Sequence, residues 1–283
     1  MSGLTGVVSD WSFVRTTPPL AYVKKRVGTF ALRAHRAPAH LRLKPVRPAP
    51  RWTVYFVYAP QGQLSDAHHF TLRRLRELGR PLLVVCAAPA ASAVPGSLVD
   101  YADALYWKDL PGFDFSAYTL ALGEISRLSE GADVFVMNDS VFGPFGDLPA
   151  LERAARWDLS AFTASPAIEN HIQSYAFLLR QVTRPLMSAL RSVFIPWLAF
   201  NRFPDVVSCQ ETRLARVASR HMSVGALWYP GPGAPDDLPR LLPAEMVAAG
   251  FPFLKRSLLG KFAGLHDRAQ LEAILRAQQH PVS

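Results

Sequence analysis

Cysteine is scarce in this chain of 283 residues: Cys86 and Cys209 are its only two. They form no CxxC-type spacing, which excludes a thiolate metal site, and each lies in or beside an apolar stretch, so both read as buried free thiols. No apolar run reaches the roughly 18 to 20 residues that cross a bilayer as a helix, and the N-terminus lacks the charge-then-apolar order of a secretory signal. The expectation is a cytoplasmic protein, at most peripheral at the inner face of the cytoplasmic membrane. Glycine-rich phosphate loops of the GxGxxG or GxxxxGKS kind are missing, and there is no internal repeat. Acidic residues are nearly absent from the first 50 positions. Lys24, Lys25, Arg26, Arg33, Arg36, Arg42, Lys44, Arg47 and Arg51 instead crowd the stretch ahead of the first convincing strand, so much of the net charge of +9 sits on an N-terminal arm. No recognition-helix or aromatic ribonucleoprotein motif accompanies these cations, and nucleic acid is not an expected partner. Two readings of the arm stay open, a solvated extension and a contact with anionic membrane.

What is present is ordinary globular material, with 49% hydrophobic and 19% charged residues, enough to bury a sizeable core. Residues 1–50, punctuated by Pro18, Pro19, Pro38, Pro45, Pro48 and Pro50, show no sustained period and read as a basic, weakly ordered extension. Residues 51–283 read as one domain, with halves at 51–147 and 148–283. In the first half WTVYFVY (Trp52 to Tyr58), Pro81 to Cys86, Ala104 to Trp107 and Ala132 to Met137 read as strands. Helices separate them, one capped by Ser65 and stopped by Gly79, another over Phe115 to Leu128. Strands alternating with helices argue for a mostly parallel α/β sheet flanked by helices. The second half reads as mixed: helices over Leu148 to Trp157, Pro185 to Phe200, Cys209 to His221, Phe253 to Leu259 and Asp267 to Gln278, and extended segments over Leu159 to Thr163, Ile172 to Leu179 and Val224 to Tyr229.

Four segments carry polar residues suited to chemistry. Asn138, Asp139 and Ser140 follow directly on the strongest strand, at the end where open α/β sheets bind ligands. A carboxylate there could hold Mg²⁺ or Mn²⁺ against a diphosphate, because hard cations prefer oxygen; it could equally close a turn. Asp114 begins a helix whose free N–H groups can receive phosphate, or it is an ordinary cap. His171, Gln173 and Ser174 form a polar cluster ahead of an apolar strand. Glu211 is the one acid at the start of a helix whose other charges are Arg213, Arg216 and Arg220, a favourable dipole position as well as a place for a base.

Three of these stretches, GFDFSAY (Gly112 to Tyr118), NDSVFGP (Asn138 to Pro144) and HIQSY (His171 to Tyr175), stand in register with a late PFLK at Pro252 to Lys255. In that order the chain resembles the rhamnan-synthesis F family of bacterial polysaccharide glycosyltransferases over roughly Trp52 to Leu265. The resemblance implies a GT-A-like, Rossmann-type fold that binds a nucleoside-diphosphate sugar in its first half and a glycan acceptor, free or lipid-linked, in its second. By the same resemblance Asp114, Asn138, Asp139 and Ser140 bind the donor diphosphate, His171, Gln173 and Ser174 meet the sugar or acceptor, and Glu211 is the catalytic base. Rhamnose from a thymidine-diphosphate donor is the sugar it suggests. With Asp139 as the segment's only carboxylate, metal dependence stays open. The competing reading is a non-catalytic carbohydrate-binding or scaffold subunit of a polysaccharide assembly complex.

Overall fold

A computed structural model describes residues 6–282. Its centre is one twisted sheet whose main strands are β1 (Val7–Ser12), β2 (His40–Lys44), β3 (Arg51–Tyr58), β4 (Leu82–Ala87), β5 (Ala104–Lys108), β6 (Ala132–Asn138), β7 (Leu159–Ser165), β8 (Ala176–Val182) and β9 (Val224–Pro230). They lie in the order β1-β9-β7-β8-β6-β3-β4-β5-β2. Strands β5, β4, β3, β6, β7 and β9 run one way; β8, inserted between β6 and β7, and the two edge strands β1 and β2 run the other. This is the mixed α/β, Rossmann-like architecture expected from the alternation of strands and helices.

The first half follows directly from its pattern. In β3, Trp52, Val54 and Phe56 point to one face of the sheet and Tyr55 and Val57 to the other, the period of two that a strand imposes. On the first face they meet helix α3 (Phe113–Leu128) through Phe115, Tyr118, Ala121, Leu122 and Ile125. On the second they meet helix α2 (Asp66–Arg76) through Leu72 and Leu75. A strand covered on both sides must be apolar throughout, which is why β4 reads LLVVCA and all six of its residues are buried. Each such side chain contributes roughly 1.5–3 kcal/mol on leaving water. Cys86 and Cys209 are both buried and free, and burial pushes the Cys86 thiol up to about 12.

The structure corrects three expectations. The proline-rich arm, read as lacking regular elements, carries β1, helix α1 (Leu20–Arg33) and β2. Its pattern was hard to read because β1 and β2 are edge strands, half exposed by position, and α1 buries little more than Arg26 and Thr29. The helix expected over Pro185 to Phe200 is confined to Arg184–Ala189 and gives way to turns well before Pro196, after which Leu198–Phe200 pairs antiparallel with Ala34–Arg36. The helix expected near Phe253 to Leu259 is instead a short strand, Leu254–Lys255, paired with Val141–Phe142 and followed by one 3₁₀ turn at Arg256–Leu258. Of the described helices none is long and apolar enough to cross a membrane.

Glycine matters where the arm meets the core. Gly225 in β9 pairs with Ser12 of β1, and a Cβ there would lie 2.2 Å from the Trp157 ring and 2.5 Å from the Trp11 carbonyl oxygen. Gly28, inside α1, has nothing within 4 Å. We predict that Gly225→Ala lowers stability by about 1–3 kcal/mol through overpacking. Gly28→Ala should raise it by about 0.5–1 kcal/mol by restricting the unfolded chain. Denaturant melts of both variants check the pair.

Candidate functional site

After β3 the chain moves outward to β4 and β5, then returns across β3 to β6, so the crevice between the C-terminal ends of β3 and β6 is the switch point of the sheet. Asp139 sits on this crevice. Its Oδ2 accepts from the Tyr58 N–H at 2.7 Å and lies 3.2 Å from His68 Nε2. The Ser65 N–H donates to His68 Nδ1 at 3.0 Å, so that nitrogen is the acceptor, while Nε2 faces both the Asp139 carboxylate and Arg256 Nη1, the latter at 3.1 Å. Arg256 completes the group, donating to the Asp139 carbonyl at 3.2 Å and reaching Ser65 Oγ at 3.4 Å. One carboxylate thus ties the turns that follow β3 and β6 to the start of α2.

Asn138 faces the opposite way. Its Nδ2 donates to Asp114 Oδ2 at 2.9 Å, while its Oδ1 accepts from the Ser140 N–H at 3.0 Å and Ser140 Oγ at 2.6 Å. Asp114 Oδ1 accepts from the Phe115 N–H at 2.9 Å, at the first turn of α3. Glu211 closes the cluster: its Oε2 accepts from the Ser174 N–H at 3.0 Å and Ser174 Oγ at 2.5 Å. Tyr118, one turn along α3, donates its hydroxyl to the Ser174 carbonyl at 3.0 Å. Burial and then the Glu211 charge push the Asp114 carboxyl up to about 7. Two acids close enough to repel, one held neutral by its surroundings up to that pH, is an arrangement that can store and move a proton.

Glu211 does not begin a helix as expected: it ends a π-helical turn, Val207–Glu211, set between the helices Phe203–Val206 and Thr212–Ala218 in one continuous helical run. That turn is pinned from the N-terminal arm. Buried Arg26 of α1 donates to the Ser208 carbonyl at 2.7 Å, to Thr212 Oγ1 at 3.1 Å and to Glu169 at 2.5 Å. Arg216 binds the other oxygen of the same buried Glu169. Nothing in the sequence around Arg26 distinguishes it from the other cations of the arm.

The four stretches singled out in the sequence converge. Asn138 binds Asp114, and Tyr118 binds Ser174. Lys255 of the PFLK stretch pairs with Val141, its Nζ 4.1 Å from the centre of the Tyr175 ring. Gly143 adopts φ +114°, and a Cβ there would lie 2.4 Å from the Pro252 carbonyl oxygen, so the close approach of NDSVFGP to PFLK requires glycine. His171 and Gln173 are buried but engaged elsewhere. His171 Nδ1 lies 2.9 Å from the Glu169 carbonyl, and Gln173 bonds Thr163 at 2.6 Å and Asp237 at 3.2 Å. Of the three residues expected at the sugar or acceptor, only Ser174 joins the acid cluster directly.

Sequence reasoning also passed over Lys108, at the end of β5. Its buried Nζ donates to the Asp109 and Pro111 carbonyls, both at 2.8 Å, and burial pulls it down to about 8 against the opposing pull of Asp109 and Asp114. Asp139 meets the Tyr58 N–H and His68 through Oδ2 alone, and among the described residues no group of three His, Cys, Asp or Glu side chains is placed to hold a metal. No family model matches the chain, and no curated protein matches it significantly.

Because the folded state raises the Asp114 pKa above the ordinary value of 3.8, the folded protein holds this proton more tightly than the unfolded chain. The resulting stability is complete below about pH 4 and is lost as pH rises through about 7. In Asp114→Asn this component vanishes. Between pH 4 and 8 the wild type should lose on the order of 3–4 kcal/mol more than the variant, measured by urea unfolding across that range.

Proposed function

We propose that this chain is a glycosyltransferase. In this reading it transfers a hexose, with rhamnose as the family-based choice, from a nucleoside-diphosphate donor to a growing cell-surface polysaccharide or lipopolysaccharide acceptor. The observation that carries the reading is the meeting of the four motif stretches, drawn from positions as far apart as Gly112 and Lys255, around an acid pair beside the switch point of a Rossmann-like sheet. Packing alone does not require two half-buried acids to gather around the buried Asn138 and Ser174, and burying such polar groups is costly unless they are matched with partners.

In the proposed reaction the acceptor hydroxyl attacks the anomeric carbon in a single displacement with inversion. The new C–O bond forms as the bond from that carbon to the diphosphate oxygen breaks. Glu211 takes the hydroxyl proton; Ser174 holds one of its oxygens and leaves Oε1 free of hydrogen bonds to described residues. The developing diphosphate charge falls on the ribbon formed by Val141–Phe142 and Leu254–Lys255, where Lys255 and Arg256 supply cations beside the Ser140 turn. Asp114 and Asn138 shape the floor beneath the donor. No step passes through a metal.

Donor binding raises the melting temperature by mass action, about 2.7 kcal/mol at a hundredfold excess over Kd. A screen of nucleoside-diphosphate sugars should therefore find at least one that stabilises the wild type. Glu211→Gln should keep that shift and lose roughly 10²- to 10⁴-fold in turnover. Lys255→Met should weaken the shift, with donor affinity falling roughly tenfold or more as one charged contact is lost. Turnover unchanged in Glu211→Gln removes the base assignment; a wild type stabilised by no donor contradicts the enzyme and favours the carbohydrate-binding subunit.

A further inference from the structure

Helix α1 has two faces with different tasks. The inner face, through Arg26, grips the turn that ends in Glu211. The outer face presents Leu20 (68% exposed), Val27 (64%) and Leu32 (85%) to solvent together with exposed Lys24 and Lys25, all within one side of the helix. Exposed leucines scattered singly need no explanation, but these adjoin further exposed apolar groups. Leu198–Phe200 pairs with Ala34–Arg36 just beyond the C-terminal end of α1, and the Trp197 carbonyl accepts from the Ala37 N–H at 3.1 Å. The next short helix, Phe203–Val206, is tied to α1 by Asp205 and Arg33 at 3.4 Å. Trp197 and Phe203 are each 59% exposed, and the Lys261 Nζ lies 5.6 Å from the centre of the Phe203 ring.

The charge on this surface has one sign. Residues 20–36 and 196–204 contain no Asp or Glu, while Lys24, Lys25, Arg36 and Arg202 are exposed. Cations interleaved with an exposed tryptophan, a phenylalanine and leucines are the composition of a face that lies in a lipid headgroup layer, the apolar groups entering the acyl boundary and the ammonium and guanidinium groups meeting phosphate. Phosphate-backbone contact alone needs only the cations; the exposed aliphatic Leu20, Val27 and Leu32 among them are what an acyl boundary takes up.

We propose that the outer face of α1, with Trp197 and Phe203, docks this protein on an anionic bilayer. Because the inner face of the same helix holds the Glu211 turn, docking brings the acid cluster near the membrane surface, where a lipid-borne acceptor is within reach. The docking itself stands apart from the sugar-transfer reading, since vesicle binding is measured without turnover.

The test is co-sedimentation of the full chain with vesicles of phosphatidylcholine alone and of phosphatidylcholine containing phosphatidylglycerol. The wild type is expected to pellet with the anionic vesicles and to be released by raised salt. The double variant Lys24→Glu, Lys25→Glu should bind roughly tenfold or more weakly. Leu32→Asp combined with Trp197→Ser should also lose binding, even at low salt. All four positions are exposed, so unchanged thermal melts certify the fold of each variant. Failure of the wild type to pellet overturns the proposal, as does pelleting that the Leu32/Trp197 variant leaves intact. Binding to a polyanion such as heparin without binding to vesicles would also overturn it and point to a nucleic-acid surface.

Discussion

The side chain of Asn138 is the interaction on which the rest of the site depends. It stands where β6 ends, and its amide must both donate and accept: one end holds Asp114 at the start of α3, the other holds Ser140 in the next turn. That single side chain fixes the acid on the helix relative to the strand, and through Tyr118 the same helix reaches Ser174 and so Glu211. An aspartate at position 138 would set two carboxylates against each other, and a leucine would leave the half-buried Asp114 with one partner fewer. The neighbour Asp139 performs the complementary task across the sheet, joining the turn after β3 to His68 and Arg256. Two adjacent residues thus organise opposite walls of the crevice.

The second constraint comes from far away in sequence. Arg26 reaches from the N-terminal arm to the turn carrying Glu211 and to Glu169, which is otherwise a buried acid balanced only by Arg216. Removing one member of such a buried set leaves the others uncompensated, which is more damaging than losing an exposed ion pair. The arm therefore belongs to the site's architecture. Its edge strand β1, seated on Gly225 with Ser12 bonded to Trp157, fastens it at a second point.

The strands and helices of the first half were legible because β3, β4 and β6 are covered on both faces and their sequences are largely apolar, while α2 and α3 keep a clear helical stripe. The candidate residues Asp114, Asn138 and Ser174 were legible for a different reason, each being a polar group beside the end of a regular element, whereas Glu211 was found as a lone acid among arginines although it lies within a continuous helical run. What escaped notice had no local signature. Arg26 looks like any other basic residue until its partners, more than 140 positions away, are known. Lys108 closes an apolar strand as surface lysines often do, yet it is buried beneath its own loop. The Leu198–Phe200 and Leu254–Lys255 strands are too short to show a period and exist only because distant segments pair with them. His171 and Gln173 were found as a cluster, but which direction each side chain takes is decided by Glu169, Thr163 and Asp237.

The central claim is that a nucleoside diphosphate lies over the crevice between β3 and β6, with its phosphates against the ribbon that joins Val141 to Lys255. A crystal structure of the chain with thymidine diphosphate tests this most directly. The account predicts phosphate density within hydrogen-bonding distance of the Ser140 turn and of Lys255 or Arg256, above the Asp114–Asn138 pair. Ordered diphosphate at any other place on the molecule, with these side chains unchanged, would contradict it.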